Sequence, residues 1–255
     1  MWCCSVTALP IADENPFTNY MPKMNYTLIL LNIIIFAIGM LAPWILVPGA
    51  TTYDQVVNTL GFIPAYIVTG HRLYTFITSM FLHGGIVHLL GNMLFLYIFG
   101  DNIEYVMGSA KYALFYIISG IGASIVYIAA LALSPASSII NAELATGVNP
   151  WLIPAIGASG AISGVLGAYI LLFPTSMVRL ITLLGFIPFE FEMPAFAFIA
   201  IWFFYQLFYG LATMLTGYQA GVAFWAHVGG FITGIALTPY AVNHERVRHV
   251  EIYRL

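Results

Sequence analysis

The chain has 255 residues, of which 61% are hydrophobic and 7% charged, and its formal net charge is -3. Soluble domains carry about a quarter charged residues, so this composition excludes an ordinary soluble domain and turns most of the surface toward lipid. The near-neutral balance and the scattered basic residues exclude a nucleic-acid partner.

Residues 1–23 hold Pro10, Asp13, Glu14, Asn15 and Pro16, with no basic start and no apolar core, which reads as a short cytoplasmic tail rather than a signal peptide. Cys3 and Cys4 are adjacent, so they staple no distant segments and form no Cys-x-x-Cys site. A membrane span needs about 20 apolar residues. Runs of about that length occur near 26–47, 85–103, 111–133, 157–173, 194–215 and 221–242. The stretch 49–82, interrupted by Asp54, Pro64, His71 and Arg72, is too broken to span and reads as an amphipathic loop partly embedded in the membrane. Residues 134–154 form a polar connection. Arg179, Glu190 and Glu192 mark the next loop, and 216–220 a short turn. The expectation is an all-α polytopic membrane protein: one six-helix domain over 24–242, a tail at 1–23 and a second tail at 243–255. No internal repeat is visible.

Basic residues set orientation. Lys23, Lys111, Arg179, Arg246, Arg248 and Arg254 fall before span one or after spans two, four and six, with Arg72 alone on the other side. Both termini are therefore expected in the cytoplasm, and spans two, four and six all start at the external face.

Strongly polar groups inside spans are costly and mark function by default. Here they are Asn32, His88, Asn92, Gln206 and His227, besides serines and threonines. His88 and Asn92, four apart, share one helix face near the external start of span two. Ser159 opens span four within Gly157-Ala158-Ser159-Gly160, where glycines leave its hydroxyl unshielded and its amide is one that the helix leaves unpaired. His227 lies about 9 Å below the start of span six at 1.5 Å per residue. These groups meet at one depth in the external half of the membrane. Asn32 and Gln206 read as interhelical hydrogen-bonding residues. Small residues at Gly160, Gly164 and Ala168 also form a seam for close helix packing.

A serine needs a base, and His227 supplies one. No Asp or Glu occurs between Glu192 and Glu245, so the arrangement is a Ser-His dyad rather than a triad. His88 and Asn92 suit an oxyanion hole, because both donate hydrogen bonds to a developing negative charge. A zinc mechanism is disfavoured: His244-Glu245 lacks the second histidine of His-Glu-x-x-His, Arg248 standing in its place. No metal and no cofactor are expected.

His83-x4-His88-x3-Asn92, Gly157-Ala158-Ser159-Gly160 and Ala226-His227-Val228-Gly229-Gly230-x3-Gly234 together resemble the signatures of the rhomboid intramembrane serine proteases. The resemblance implies a six-helix fold with Ser159 as nucleophile and His227 as general base. It implies an oxyanion hole from His88, Asn92 and the Ser159 amide, with His83, Gly157 and Gly160 in support, and close packing of span six on span four through Gly230 and Gly234. It further implies cleavage of transmembrane protein substrates within the lipid bilayer; the expected location is the plasma membrane of a prokaryote, with the site open to the external side by the distribution of basic residues. Two positions depart from the family pattern: Tyr74-Thr75 stands where some members carry Trp-Arg, and Ser163 where some stack an aromatic ring on the histidine. A catalytically silent rhomboid-like chaperone or dislocation factor is the alternative, although that class usually lacks the serine or the histidine. A transporter is a third reading, against which no matched broken helices appear. The glycine-containing turn 216–221 reads as a mobile cap over His227, and span five as the element that yields to a substrate helix.

Overall fold

Six apolar helices follow one another in the computed structural model, which describes residues 8–14, 20–134, 149–216 and 222–252. They are α1 (Lys23–Leu41), α2 (Ile86–Met107), α3 (Ser109–Leu133), α4 (Ser159–Leu172), α5 (Ala195–Thr216) and α6 (Phe224–Ala241). By length and composition α1, α2, α3 and α5 are each able to cross a membrane. Each helix falls on one of the predicted runs, with ends moved by a few residues. The first run is longer than α1 because Pro43 starts a separate turn, Pro43–Leu46. The predicted cap at 216–221 lies, apart from Thr216, outside the described residues, as does most of the connection 134–154.

Helix α4 is the buried centre, packed between α3 and α6 on small residues. A Cβ added at Gly230 would run into the Gly160 carbonyl oxygen, and one at Gly234 into the backbone of Gly164. Such close backbone approach is what glycine permits between helices in lipid. At 14 residues α4 is about 21 Å long, against about 30 Å of hydrocarbon. It starts at Ser159 because the preceding chain is held elsewhere. The Gly157 amide bonds the Ser79 carbonyl at 2.9 Å, and Ala155 forms an antiparallel bridge with Phe62.

The expected amphipathic loop between α1 and α2 holds three short helices, Tyr53–Leu60, Pro64–Val68 and Thr75–Thr78. The C-terminal carbonyls of the first are taken in succession: Arg72 donates to Asn58, the Tyr74 hydroxyl to Thr59 and the Thr78 hydroxyl to Leu60. These are carbonyls that a helix end leaves without intrahelical partners. Of Tyr74 and Thr75, which stand where some rhomboid proteases carry Trp-Arg, Tyr74 takes part in this anchor while Thr75 is buried and caps the Arg72 carbonyl.

The expectation of an all-α chain needs correcting at the opposite end of the bundle from Ser159. There β1 (Ala8–Asp13), β2 (Met177–Leu184) and β3 (Ile187–Pro194) form an antiparallel sheet in the order β1-β2-β3. The segment read as a loop is a hairpin turning at Gly185, whose φ of +68° suits a tight hairpin turn. Val178 and Leu180 point into the core, while Arg179 and Glu192 pair across the other face. The segment read as an N-terminal tail contributes β1. Its Asp13 carboxylate accepts from the Tyr169 hydroxyl of α4 and, at 2.7 Å, from the Asn102 amide of α2. The C-terminal segment likewise contains a helix, His244–Ile252, whose Arg246 donates to the Tyr105 carbonyl near the end of α2.

Candidate active site

Ser159 is the first residue of α4, and His227 faces it from the fourth position of α6. The serine Oγ lies 2.8 Å from the histidine Nε2, and both residues are buried. The distal ring nitrogen, Nδ1, lies 2.8 Å from Oε1 of Gln206 on α5. An amide oxygen only accepts, so Nδ1 carries the proton and Nε2 is left as an acceptor for the serine hydroxyl. Trp202, one turn earlier on α5, flanks the imidazole with ring centroids 6.2 Å apart. Ser163 donates to the Ser159 carbonyl at 2.6 Å, so its hydroxyl is turned back along α4 and does not compete for His227.

His88 reaches the same place from α2. The Gly84 amide donates to its Nδ1 at 3.2 Å, which puts the ring proton on Nε2. A Cβ built on Gly157 would sit 2.9 Å from His88 Nε2 and 3.6 Å from Ser159 Oγ, so the imidazole and the hydroxyl converge over this glycine. Gly157 has φ +127°, a conformation that other residues rarely adopt. Position 157 therefore admits little except glycine, on two separate grounds.

Asn92 is buried one turn deeper on α2. Its Nδ2 donates to the His88 carbonyl at 3.0 Å, and its Oδ1 has no hydrogen-bond partner among the described residues. His83 packs edge-on against His88 with centroids 5.1 Å apart. Its backbone is held at both groups by the Tyr53 hydroxyl, which donates to the carbonyl at 2.8 Å and accepts from the amide at 3.0 Å. Gly160 abuts Ala123 of α3, fixing the first turn of α4. Ser159, His227 and His88 are thus brought together, with His83 behind His88, while Asn92 bonds back to its own helix.

A cavity of about 440 Å³ opens beside the site, lined by His88, Tyr127, residues 153–156, Met214 and residues 222–225. A smaller space of about 50 Å³ reaches Ser159 and Gly157. That is room for water next to the hydroxyl. No cluster of three or more His, Cys, Asp or Glu side chains able to hold a metal ion occurs among the described residues.

Residues 70–244 match the Rhomboid domain family, well over half of the chain. The chain belongs to the rhomboid family. Rhomboid protease AarA of Providencia stuartii is 33% identical over 164 residues, covering 63% of this rhomboid and 53% of the relative. RHOMBOID-like protein 6, mitochondrial, of Arabidopsis thaliana is 31% identical over 175 residues, 67% of this chain and 44% of the relative. Rhomboid protease GluP of Bacillus subtilis (strain 168) is 30% identical over 152 residues, 60% and 25% respectively. This rhomboid therefore spans between a quarter and about half of the length of these relatives.

Gln206, which reads from the sequence as an interhelical hydrogen-bonding residue, makes that bond to His227 itself, a partner that the sequence does not reveal. The available signal was that Gln206 is the only amide residue on α5 in a chain without a carboxylate from 193 to 244. Nothing in the sequence pointed to Trp202 as the ring beside the histidine where the family's aromatic residue is replaced by Ser163.

Proposed function

We propose that this rhomboid is an intramembrane serine endopeptidase that hydrolyses peptide bonds in or near transmembrane segments of other proteins. The observation that carries the reading is the 2.8 Å contact between Ser159 Oγ and an imidazole nitrogen whose partner nitrogen is already engaged. In the reaction, Ser159 attacks the scissile carbonyl carbon while His227 Nε2 takes the hydroxyl proton. The negative charge that develops on the carbonyl oxygen is met by the His88 Nε2 proton, the Ser159 amide and the second N–H of Asn92. His227 then gives its proton to the leaving amine. Water from the adjoining cavity, deprotonated by the same imidazole, attacks the acyl carbon, and as the bond to Ser159 Oγ breaks the imidazole returns that proton to the serine oxygen.

The substrate class is argued from the surroundings. A site at the buried start of a short helix, within a bundle of apolar helices, is reached through lipid. Peptide bonds of a stable helix are already hydrogen-bonded, so a substrate segment must unwind locally before its carbonyl is attacked. We read six spans with both termini in the cytoplasm, since six of the seven basic residues then share one side. The site opens to the external side. The bacterial relatives named as proteases support an active enzyme over a silent rhomboid-like one.

Purified protein reconstituted with a model single-span substrate tests this. Ser159→Ala and His227→Ala are each expected to abolish cleavage with the fold intact, and the double variant to be no worse than either single one, because the two residues act as a unit. Wild-type protein that leaves every substrate uncut, or Ser159→Ala that cuts at the wild-type rate, would overturn the reading.

A further inference from the structure

The Ser-His pair has a third member that is not an acid. Helices α3, α4, α5 and α6 carry no carboxylate, and Asp101 and Glu104 lie about 20 Å along α2 from His88. In Ser-His-Asp enzymes a buried carboxylate holds the histidine in the tautomer that accepts the serine proton. Here the atom at that position is Oε1 of Gln206, 2.8 Å from His227 Nδ1, on a residue that is almost wholly removed from solvent at 4% exposure. We propose that Gln206 is a positioning residue for His227, its amide oxygen fixing the imidazole with Nδ1 protonated and Nε2 directed at Ser159.

This inference rests on the serine-histidine reading above and makes a directional claim. An amide presents an oxygen on one side and an NH₂ on the other. Were Gln206 turned over, its N–H would donate to Nδ1, the ring proton would move to Nε2, and Ser159 would face a donor in place of a base. A residue serving only to join α5 to α6 would be indifferent to which end of the amide met the ring. A neutral amide also differs from an acid in its effect on the reaction, because it orients the imidazole without contributing a full charge to the imidazolium that forms. Among the described residues, those facing His227 include Ser159 from α4 and Gln206 and Trp202 from α5, with the other imidazole, His88, close enough on α2 to act on it electrostatically. Gln206, 2.8 Å from Nδ1, is placed to choose the tautomer there.

Three variants and one spectrum test the assignment. Gln206→Leu keeps the size and removes the acceptor. It is expected to lower kcat by on the order of 10²-fold or more with KM little changed, below the ~10⁴ that a wrong-tautomer substitution costs in a Ser-His-Asp enzyme. Gln206→Glu supplies an acceptor that cannot be turned over. It is expected to keep most of the activity and to move the acidic limb of the kcat profile, on which His227 must be neutral, to higher pH. Gln206→Ala, with the acceptor removed and space left for water, is expected to fall between them. The spectrum uses wild-type protein labelled with ¹⁵N-histidine, with the His227 signals assigned by their loss in His227→Gln. It is expected to show the Nδ1-protonated form near neutral pH. An Nε2-protonated His227, or Gln206→Leu with wild-type kcat and pH profile, would overturn the role of Gln206. Wild-type reactivity toward a fluorophosphonate, measured alongside, separates the two failures. Reactive wild type with an unaffected Gln206→Leu removes only this inference. Unreactive wild type removes the serine-histidine reading, and the spectrum still decides which ring nitrogen of His227 carries the proton beside Gln206.

Discussion

At His88 the Gly84 amide occupies Nδ1 and leaves a proton on Nε2, whereas at His227 the Gln206 oxygen draws the proton to Nδ1 and leaves Nε2 bare. Two side chains of the same type are thus given opposite tasks by one hydrogen bond each, a donor in the first case and an acceptor in the second. In the proposed reaction the donor meets the oxyanion and the acceptor takes the proton. Removing one oxyanion donor typically costs on the order of 10²–10³ in turnover. His88→Ala and Asn92→Ala are expected to lower kcat by up to that range with KM little changed. Gly157→Ala is expected to cost at least as much as His88→Ala, since the added methyl meets the His88 ring and the backbone must hold φ +127°. Steady-state kinetics on one reconstituted substrate decide the matter. A rise in KM at constant kcat would assign these residues to substrate contact, and an unaffected Gly157→Ala would remove His88 from the site. The meeting of Ser159, His227 and His88 was legible in the sequence, because polar groups are rare inside apolar runs and their spacing puts them at one depth, whereas Asn92, read with them, bonds back to the His88 carbonyl. The tautomers were not, because they depend on Gly84 and Gln206, whose contacts exist only once the helices have packed.

Between elements, the sheet at the far end of the bundle holds α2 and α4 together through Asp13 of β1. Burial pushes its carboxyl up to about 6 against an ordinary 3.8, despite the hydrogen bonds from Tyr169 and Asn102 that favour the charged form. The folded protein therefore keeps this proton up to about pH 6, while the unfolded chain releases it near 3.8. Between those values the folded state binds more protons, so stability falls as pH rises and is level above about pH 6. A difference of one pH unit between the folded and unfolded midpoints corresponds to about 1.4 kcal/mol, giving a decline of up to about 3 kcal/mol. Asp13→Asn keeps an oxygen acceptor for both donors and carries no charge. Thermal unfolding in mild detergent from about pH 4 to 7 is expected to show a smaller decline for Asp13→Asn than for wild type, with the variant the more stable near neutrality. An equal decline in both proteins would show that Asp13 does not carry this dependence. The sheet itself escaped the sequence reading for a definable reason. Met177 to Leu184 reads as an apolar run with one arginine, and a strand in it is visible only through its partner, where Phe189, Glu190, Phe191, Glu192 and Met193 alternate with the period of a strand. The other partner, β1, lies far away in the sequence, in a segment whose prolines and acids resemble a tail. The six helices were legible because each one is a long apolar run that needs no partner to be recognised.

Over the whole molecule, α4 joins the fold to the chemistry. Its glycines draw α6 against it, which sets His227 opposite Ser159, and its shortness leaves Ser159 recessed beside a cavity of about 440 Å³. In the proposed reaction this recess would hold the Ser159 hydroxyl at membrane depth, and the cavity would admit the water that hydrolysis consumes and hydrocarbon would exclude. Both features fit the proposed function, which requires attack on a peptide bond inside a bilayer. The proposed chemistry turns on activation of Ser159 by His227, and covalent capture reports on that step without a substrate. Wild-type protein in mild detergent is treated with a fluorophosphonate, digested, and the modified residue located by mass spectrometry. One adduct is expected, on Ser159, and it should be absent from folded His227→Ala. An adduct on Ser163 or another serine, or an undiminished Ser159 adduct in His227→Ala, would contradict the assignment.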